Sequence, residues 1–199
     1  NIDVDFITND QEIIKTRYID KRSGQHMLRV DTEPDVALWT GEVTTAIDSY
    51  DAIVISDYNK GFLSYKHIED VISKTTNPIF IDTKKTDLLR FNANHVYVKI
   101  NELEYKNLIS TPRNLIVTLG DQGAVLYKKN PTSKTMFGIT PVEVMDVCGC
   151  GDTFLSAVSY QYLQTNSIDS AIIFANTAAS ITVRHRGNYA PSFHEIINS

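Results

Sequence analysis

The sequence is short of cysteine, of long apolar runs and of net positive charge, and each shortage removes a class of protein. Two cysteines in 199 residues are too few for the disulfide framework of a secreted scaffold. They stand one residue apart, as Cys148 and Cys150. A disulfide across that gap would be strained, and no second pair exists to complete a zinc site. No apolar run approaches the roughly 20 residues that span a bilayer. The opening stretch, NIDVDFITND, carries neither the basic nor the apolar region of a secretory signal. These absences point to a cytoplasmic protein without a membrane partner. The formal net charge of -5 supplies no basic field for nucleic acid or an anionic membrane. Two local basic clusters, KTRYIDKR and RHRG, stay open between anion sites and solvated surface. No internal repeat or low-complexity segment is present. Nor does a Gly-x-Gly-x-x-Gly follow an early strand, which argues against a dinucleotide-dependent oxidoreductase.

What is present suits one domain, or one domain with a small appendage. Hydrophobic residues make up 42% of the chain, enough for a packed core, and the 22% of charged residues argues against wholesale disorder. Short apolar runs read as buried strands over 51–56, 78–82, 95–100, 114–120 and 123–129. The last two are joined by a tight Gly-Asp-Gln-Gly turn. Helical patterns fall between and after them, over 64–75 with Ser64 as N-cap, 101–109, 151–163 and 167–185. The last is apolar nearly all round, as a central helix would be. Strands of this kind alternating with helices imply an α/β layered fold with a mostly parallel sheet. Residues 13–33 differ, with alternating β-rich pieces around a Ser-Gly turn, and read as an antiparallel ribbon.

The stretch DVCGCGDTF (146–154) carries the most chemistry. Gly149 and Gly151 permit unusual backbone angles and close approach. The helix that follows presents unpaired amides and partial positive charge, a cradle for phosphate oxygens. Asp152, in the first helical turn, is open between a helix cap and a carboxylate that takes a proton from an attacking hydroxyl. The two cysteines read as reduced thiols, with Cys150 contributing chiefly its backbone N–H.

This stretch resembles the Asp-Thr-x-Gly-Ala-Gly-Asp signature of the ribokinase-like (phosphofructokinase B) carbohydrate kinases. Three more stretches agree in the same order. VTLGDQGAVLY (117–127) resembles the nucleotide-site hairpin. KINELEY (99–105) resembles the Asn-x-x-Glu motif, and ANTAASITVRHRGNYAP (175–191) resembles the closing helix and loop. A narrower likeness, to heptose 7-phosphate kinases of lipopolysaccharide precursor synthesis, rests on KTRYIDKRSGQHMLRVDTE, IVISDYNKGFLS and IFIDTKKTDLLRF. The resemblance covers nearly the whole chain.

It implies an ATP-dependent sugar-phosphate kinase in which Asp152 is the catalytic base. Gly149, Cys150 and Gly151 would supply the backbone anion hole. Asn101 and Glu104 would organise Mg²⁺ through waters. Thr118, Gly120 and Gly123 would line the ATP site, joined by Asn176, with a packed-helix Asn as its alternative, and by Lys84. Arg17, Arg29 and Lys60 are candidates for the sugar phosphate, Asp146 for a structural tie. The ribbon at 13–33 would act as a lid and as the contact of a homodimer, and 51–199 as the nucleotide-binding core. The family's early strand, its sugar-binding Asp and its Gly-Gly-x-x-x-Asn stretch have no counterpart here. The expectation is therefore the carboxy-terminal portion of a kinase domain.

Overall fold

The structure, a computed structural model, describes residues 2–129 and 133–199. The expected ribbon is present as β1 (Ile14–Ile19) paired antiparallel with β2 (His26–Thr32). Its turn is closed by Asp20, whose carboxylate accepts from the Ser23 amide and hydroxyl, both at 2.7 Å. The alternating sequence gives the ribbon two unlike faces. Ile14, Tyr18, Leu28 and Val30 share one, and Lys15, Arg17, Arg29 and Asp31 the other.

The main sheet has six strands in the order β3 (Ile53–Asp57), β4 (Ile79–Thr83), β5 (Val96–Asn101), β6 (Asn114–Thr118), β7 (Ala124–Lys128), β8 (Ser133–Phe137). β3 to β6 run parallel; β7 and β8 complete it antiparallel. Five of these strands match the apolar runs. β8 was not expected, because of its five residues only Phe137 is buried. The fold is thus α/β, with a mostly parallel sheet and a small antiparallel ribbon, as expected.

Alternation along the strands gives the sheet two apolar faces. Phe80, Ile116 and Leu126 pack with Phe154, Leu155 and Val158 of α3 (Cys150–Thr165) and with Ala171 and Ile172 of α4 (Ile168–Thr182). Ile79, Ile81, Val96, Val98 and Ile100 pack on the opposite face with Ile68 of α1 (Tyr65–Ser73). Burying a side chain of this size is worth about 1.5–3 kcal/mol, so these two layers hold the loops at the strand ends in place.

The helix ends follow local chemistry. Ser64 caps α1 as expected, accepting from the His67 amide while His67 Nδ1 faces the Ser64 amide. α2 (Glu102–Lys106) is shorter than the sequence pattern suggested. Beyond it, the amides of Ile109 and Ser110 turn to the Thr86 carbonyl instead. α4 stops at Thr182, three residues early. The Val183 carbonyl leaves the helical ladder to accept the Met145 and Asp146 amides, and Arg184 and His185 close the end with tighter i to i-3 bonds. A fifth short helix, α5 (Phe193–Ile197), is capped by Ser192 and Glu195. No helix among the described residues is long and apolar enough to cross a membrane.

Candidate active site

The carboxyl ends of β3, β4 and β5 and the amino end of α3 enclose a cleft of about 200 Å³, where ligands of open α/β sheets bind. Five sequence candidates line it: Lys84, Asn101, Glu104, Gly151 and Asp152. Gly149 stands just before α3, adopts a left-handed conformation (φ 75°) and gives the helix no side-chain cap. That geometry favours glycine. Asp152 therefore does not cap the helix. It sits in the first turn and accepts a hydrogen bond from the Tyr58 hydroxyl, 3.2 Å to Oδ1 and 3.4 Å to Oδ2. Burial, and then the Asp152 charge, push the Tyr58 phenol up to about 12, so it remains a donor at neutral pH. Lys84 lies 5.4 Å over the Tyr58 ring, a cation–π contact.

Beneath this rim are two ion pairs. Lys99 Nζ is 2.6 Å from Asp82 Oδ2, and the two residues are direct register partners on β5 and β4. Burial raises the Asp82 pKa, against the pull of the Lys99 ammonium. Lys85 Nζ lies 3.2 Å from Asp57 Oδ2, and both side chains are only 4% exposed. Asp57 also accepts from Thr83 Oγ1 at 2.8 Å and the Asn59 amide at 3.0 Å, and Lys85 donates to Asn59 Oδ1 at 2.9 Å. These bonds meet most of the hydrogen-bonding capacity of a buried pair, which such a pair needs. Tyr58, Asp82, Lys99 and the Asp57–Lys85 pair were not singled out from sequence. A lysine reads as solvated even where, like Lys99, it interrupts an apolar run, and only the fold reveals its partner.

Asn101 and Glu104 cap α2 reciprocally. The Glu104 amide donates to Asn101 Oδ1 and the Asn101 amide to Glu104 Oε2, both at 2.8 Å. No cluster of three or more His, Cys, Asp or Glu among the described residues forms a ready metal site. The spare oxygen of Glu104 and the neighbouring carboxylates suit a hydrated Mg²⁺, which keeps most of its waters. Contact through water leaves the capping bonds intact.

The hairpin candidates divide. Thr118 ends β6 beside Asn101, its register partner, and its hydroxyl points to the Ile100 carbonyl at 3.4 Å. Gly120 (φ 61°) has open space where a side chain would stand. Gly123 (φ 90°) does not: a Cβ there would lie 2.1 Å from the Phe137 carbonyl oxygen. The same carbonyl accepts from Asn176 Nδ2 at 2.9 Å, and Asn176 is buried. Asn176 is thus a satisfied packed-helix amide that ties α4 to β8. It stands outside the cleft lining, as do Thr118, Gly120 and Gly123.

The sugar-phosphate candidates also stand outside the cleft lining. Arg29 pairs with Asp31 (Nε to Oδ1, 2.8 Å) and faces Arg17 across the ribbon. Lys60 is paired with Glu33. Asp146 is the structural tie expected, accepting from the Cys148 amide at 3.0 Å and the Gly187 amide at 2.9 Å. Both cysteines are free and half-buried. Cys148 Sγ lies 3.0 Å from Asn188 Oδ1, and burial pushes the Cys150 thiol up, away from a reactive thiolate. The Cys150 amide makes a long bond to the Val147 carbonyl, 3.4 Å.

Comparison with known proteins adds to this geometry. The model of the pfkB family carbohydrate kinases matches residues 1–195. The chain is 28% identical to the bifunctional protein HldE of Campylobacter curvus, over 92% of the chain and 44% of that protein. It is 30% identical to the HldE of Hydrogenovibrio crunogenus, over 86% of the chain and 41% of that protein. It thus spans less than half the length of the curated relatives it matches. Phosphofructokinase-2 of Escherichia coli, in complex with potassium, superposes with a TM-score of 0.71 at 18% identity, over 92% of this chain and 68% of that one. The ribokinase of Arabidopsis thaliana, complexed with ribose and ATP, gives 0.67 at 16%, over 88% and 65%. At these identities the structural likeness is one of fold.

Proposed function

This chain belongs to the pfkB family of carbohydrate kinases, and from that premise we propose that it forms the phosphoryl-transfer half of an ATP-dependent sugar-phosphate kinase. The acceptor we infer is heptose 7-phosphate, by its likeness to the HldE proteins. The observation that carries the reading is the Asp152 carboxylate, free of helix capping, in a cleft at the amino end of α3.

In this reading Asp152 accepts the proton of the attacking sugar hydroxyl. Tyr58, donating to both carboxylate oxygens, holds the group in orientation. The amides at the start of α3 face the migrating phosphoryl group, whose charge they stabilise without reorganising. Mg²⁺ would be held through waters by Asn101 and Glu104, and when bound it neutralises phosphate charge. Thr118, Gly120 and Lys84 border the nucleotide, and Arg17, Arg29 and Lys60 are proposed to meet the sugar phosphate, Arg29 and Lys60 once their present ion pairs exchange. The exposed apolar face of the ribbon, with Tyr18 55% and Leu28 58% exposed, is proposed as the contact of a homodimer, read by light scattering at micromolar concentration.

The test is turnover of a panel of sugar phosphates with coupled ADP detection. Asp152→Asn is expected to lower transfer about 10³-fold while ATP binding stays within a few-fold. Near-normal turnover in that variant sinks the base assignment. Good turnover of another sugar and none of heptose 7-phosphate sinks the narrower substrate. A second reading, a nucleotide-binding module without transfer, is favoured by the ion pairs that hold Arg29 and Lys60 outside the cleft. Calorimetric ATP binding with no ADP formed on any sugar would establish it.

A further inference from the structure

A carboxylate base facing a bound triphosphate can take a proton from water as well as from a sugar hydroxyl, and water is always at hand. In this cleft the Asp152 carboxylate is not bare. The Tyr58 hydroxyl lies 3.2 Å from Oδ1 and 3.4 Å from Oδ2, so one proton is shared across both oxygens of the base. The phenol stays protonated at neutral pH and remains a donor. Both distances exceed the roughly 2.5–3.0 Å of a close O–H···O bond. The contact is near enough to occupy the base and weak enough to be exchanged.

Tyr58 itself is 45% exposed, yet the chain on both sides of it is pinned. Before it, the buried Asp57 carboxylate is held by Lys85 Nζ at 3.2 Å, Thr83 Oγ1 at 2.8 Å and the Asn59 amide at 3.0 Å. The Asp57 carbonyl accepts from the Lys84 amide at 3.1 Å. After it, Asn59 has φ 55°, the left-handed region that Asn tolerates better than most side chains. Lys85 holds the Asn59 side-chain oxygen there at 2.9 Å. One buried ion pair, which no step of the reaction uses, thus anchors both neighbours of Tyr58. Lys84, drawn in by the same stitch between β3 and β4, lies over the ring. The ring is fixed, and the bond from its hydroxyl is the loose part.

We propose that Tyr58 makes this cleft prefer a sugar hydroxyl to water: its phenol shields Asp152 while the acceptor site is empty, and a bound sugar phosphate displaces it. The inference rests on the kinase reading above and deepens it. A sugar phosphate brings binding energy from groups remote from the reacting hydroxyl, and that energy offsets the loss of the Tyr58 bond. A water molecule brings none. In transfer, the sugar oxygen bonds to the γ-phosphorus, the bond from that phosphorus to the β–γ bridging oxygen breaks, and ADP leaves with the electron pair. The hydroxyl proton goes to Asp152. In hydrolysis, water takes the place of the sugar, its proton reaches the same carboxylate, and inorganic phosphate forms. Tyr58 acts through Asp152 and is a positioning residue.

Tyr58→Phe removes the shield and keeps the ring. ADP release from ATP is measured with and without the best acceptor of the sugar-phosphate panel, with circular dichroism to verify folding. Sugar-independent release is expected to rise about tenfold, the scale of one hydrogen bond to a charged group, while sugar-dependent turnover changes by less than about threefold. A merely structural tyrosine would lower both rates together. The double variant Tyr58→Phe/Asp152→Asn is expected to bring hydrolysis back to the wild-type rate or below it, since the proton of the water goes to Asp152. Hydrolysis that is unchanged in Tyr58→Phe, or that falls in step with transfer, overturns the inference and leaves the kinase reading standing. Added hydrolysis that survives the double variant does the same. A folded wild-type chain that forms no ADP on any sugar overturns the kinase reading, and this inference with it.

Discussion

The six-stranded sheet and the two-stranded ribbon are built from similar β-forming residues, yet they are stabilised in opposite ways. In the sheet, both faces are covered, and side chains such as Phe80, Ile81, Val98 and Ile116 are almost wholly buried. In the ribbon, every residue of β2 is exposed, and one of the six in β1 is partly covered. A two-stranded ribbon alone is marginal in water. This one is held by its turn at Asp20, by ion pairs on one face and by contacts at its ends, including the Lys60–Glu33 pair and the packing of Arg186 against Gly24. The difference teaches where rigidity is placed. The sheet fixes the cleft; the ribbon leaves an apolar face exposed.

The comparison can be broken most forcefully from the sheet side. Phe154→Ala empties a fully buried site between α3 and β4, and a loss of about 4 kcal/mol is expected in denaturant unfolding. A loss below about 1 kcal/mol would mean that the sheet layer is as loosely held as the ribbon. The double substitution Leu28→Ser/Val30→Ser should then change chain stability by no more than about 0.5 kcal/mol, since both side chains are solvent-exposed, while abolishing a ribbon-mediated dimer in light scattering. A large stability loss in a monomeric chain would show the ribbon face to be packed after all.

The smallest effect is acid loosening of the ribbon alone. The Lys60 ammonium holds the Glu33 carboxyl below its usual range. At Asp31, burial pulls upward but is outweighed by Arg29 and Lys15, so this carboxyl too is lowered. Carboxylates with depressed pKa in the folded state stabilise it above their unfolded values, 4.5 for Glu33 and 3.8 for Asp31. That contribution is lost as pH falls through the folded values. Hydrogen exchange in the ribbon should accelerate below about pH 4 before exchange in β4 and β5 changes. Simultaneous acceleration would contradict the separation.

Much of the sheet was legible because buried parallel strands write themselves as apolar runs, as IVIS, IFI and LIV do here. β8 was not, because Ser133, Lys134, Thr135 and Met136 lie on a solvent-facing edge and Phe137 alone marks the core. At the site, Asp152 and its glycine loop were readable as a motif of adjacent residues. Tyr58 was not, since it meets Asp152 across 94 positions. The two buried lysines escaped for a different reason. Hydropathy sorts lysine with solvent, and nothing near Lys85 or Lys99 in sequence names the aspartate that neutralises it. Asn176 was left open by the sequence, and its hydrogen bond to the Phe137 carbonyl, 39 positions away, is likewise invisible there.

The register of β5 against β4 carries a further consequence, for what the chain can tolerate as it varies. Tyr97 packs on the α3 side of the sheet and Lys99 opens on that side, while Val96, Val98 and Ile100 face α1. Because neighbouring side chains point to opposite faces, one residue inserted between Val96 and Lys99 would invert everything after it. Lys99 would turn into the apolar layer beneath α1, and a branched aliphatic group would come to rest under Gly151. Substitutions in this strand can be graded by size and charge. A change of length by one cannot, so the floor of the cleft is specified by counting as much as by chemistry.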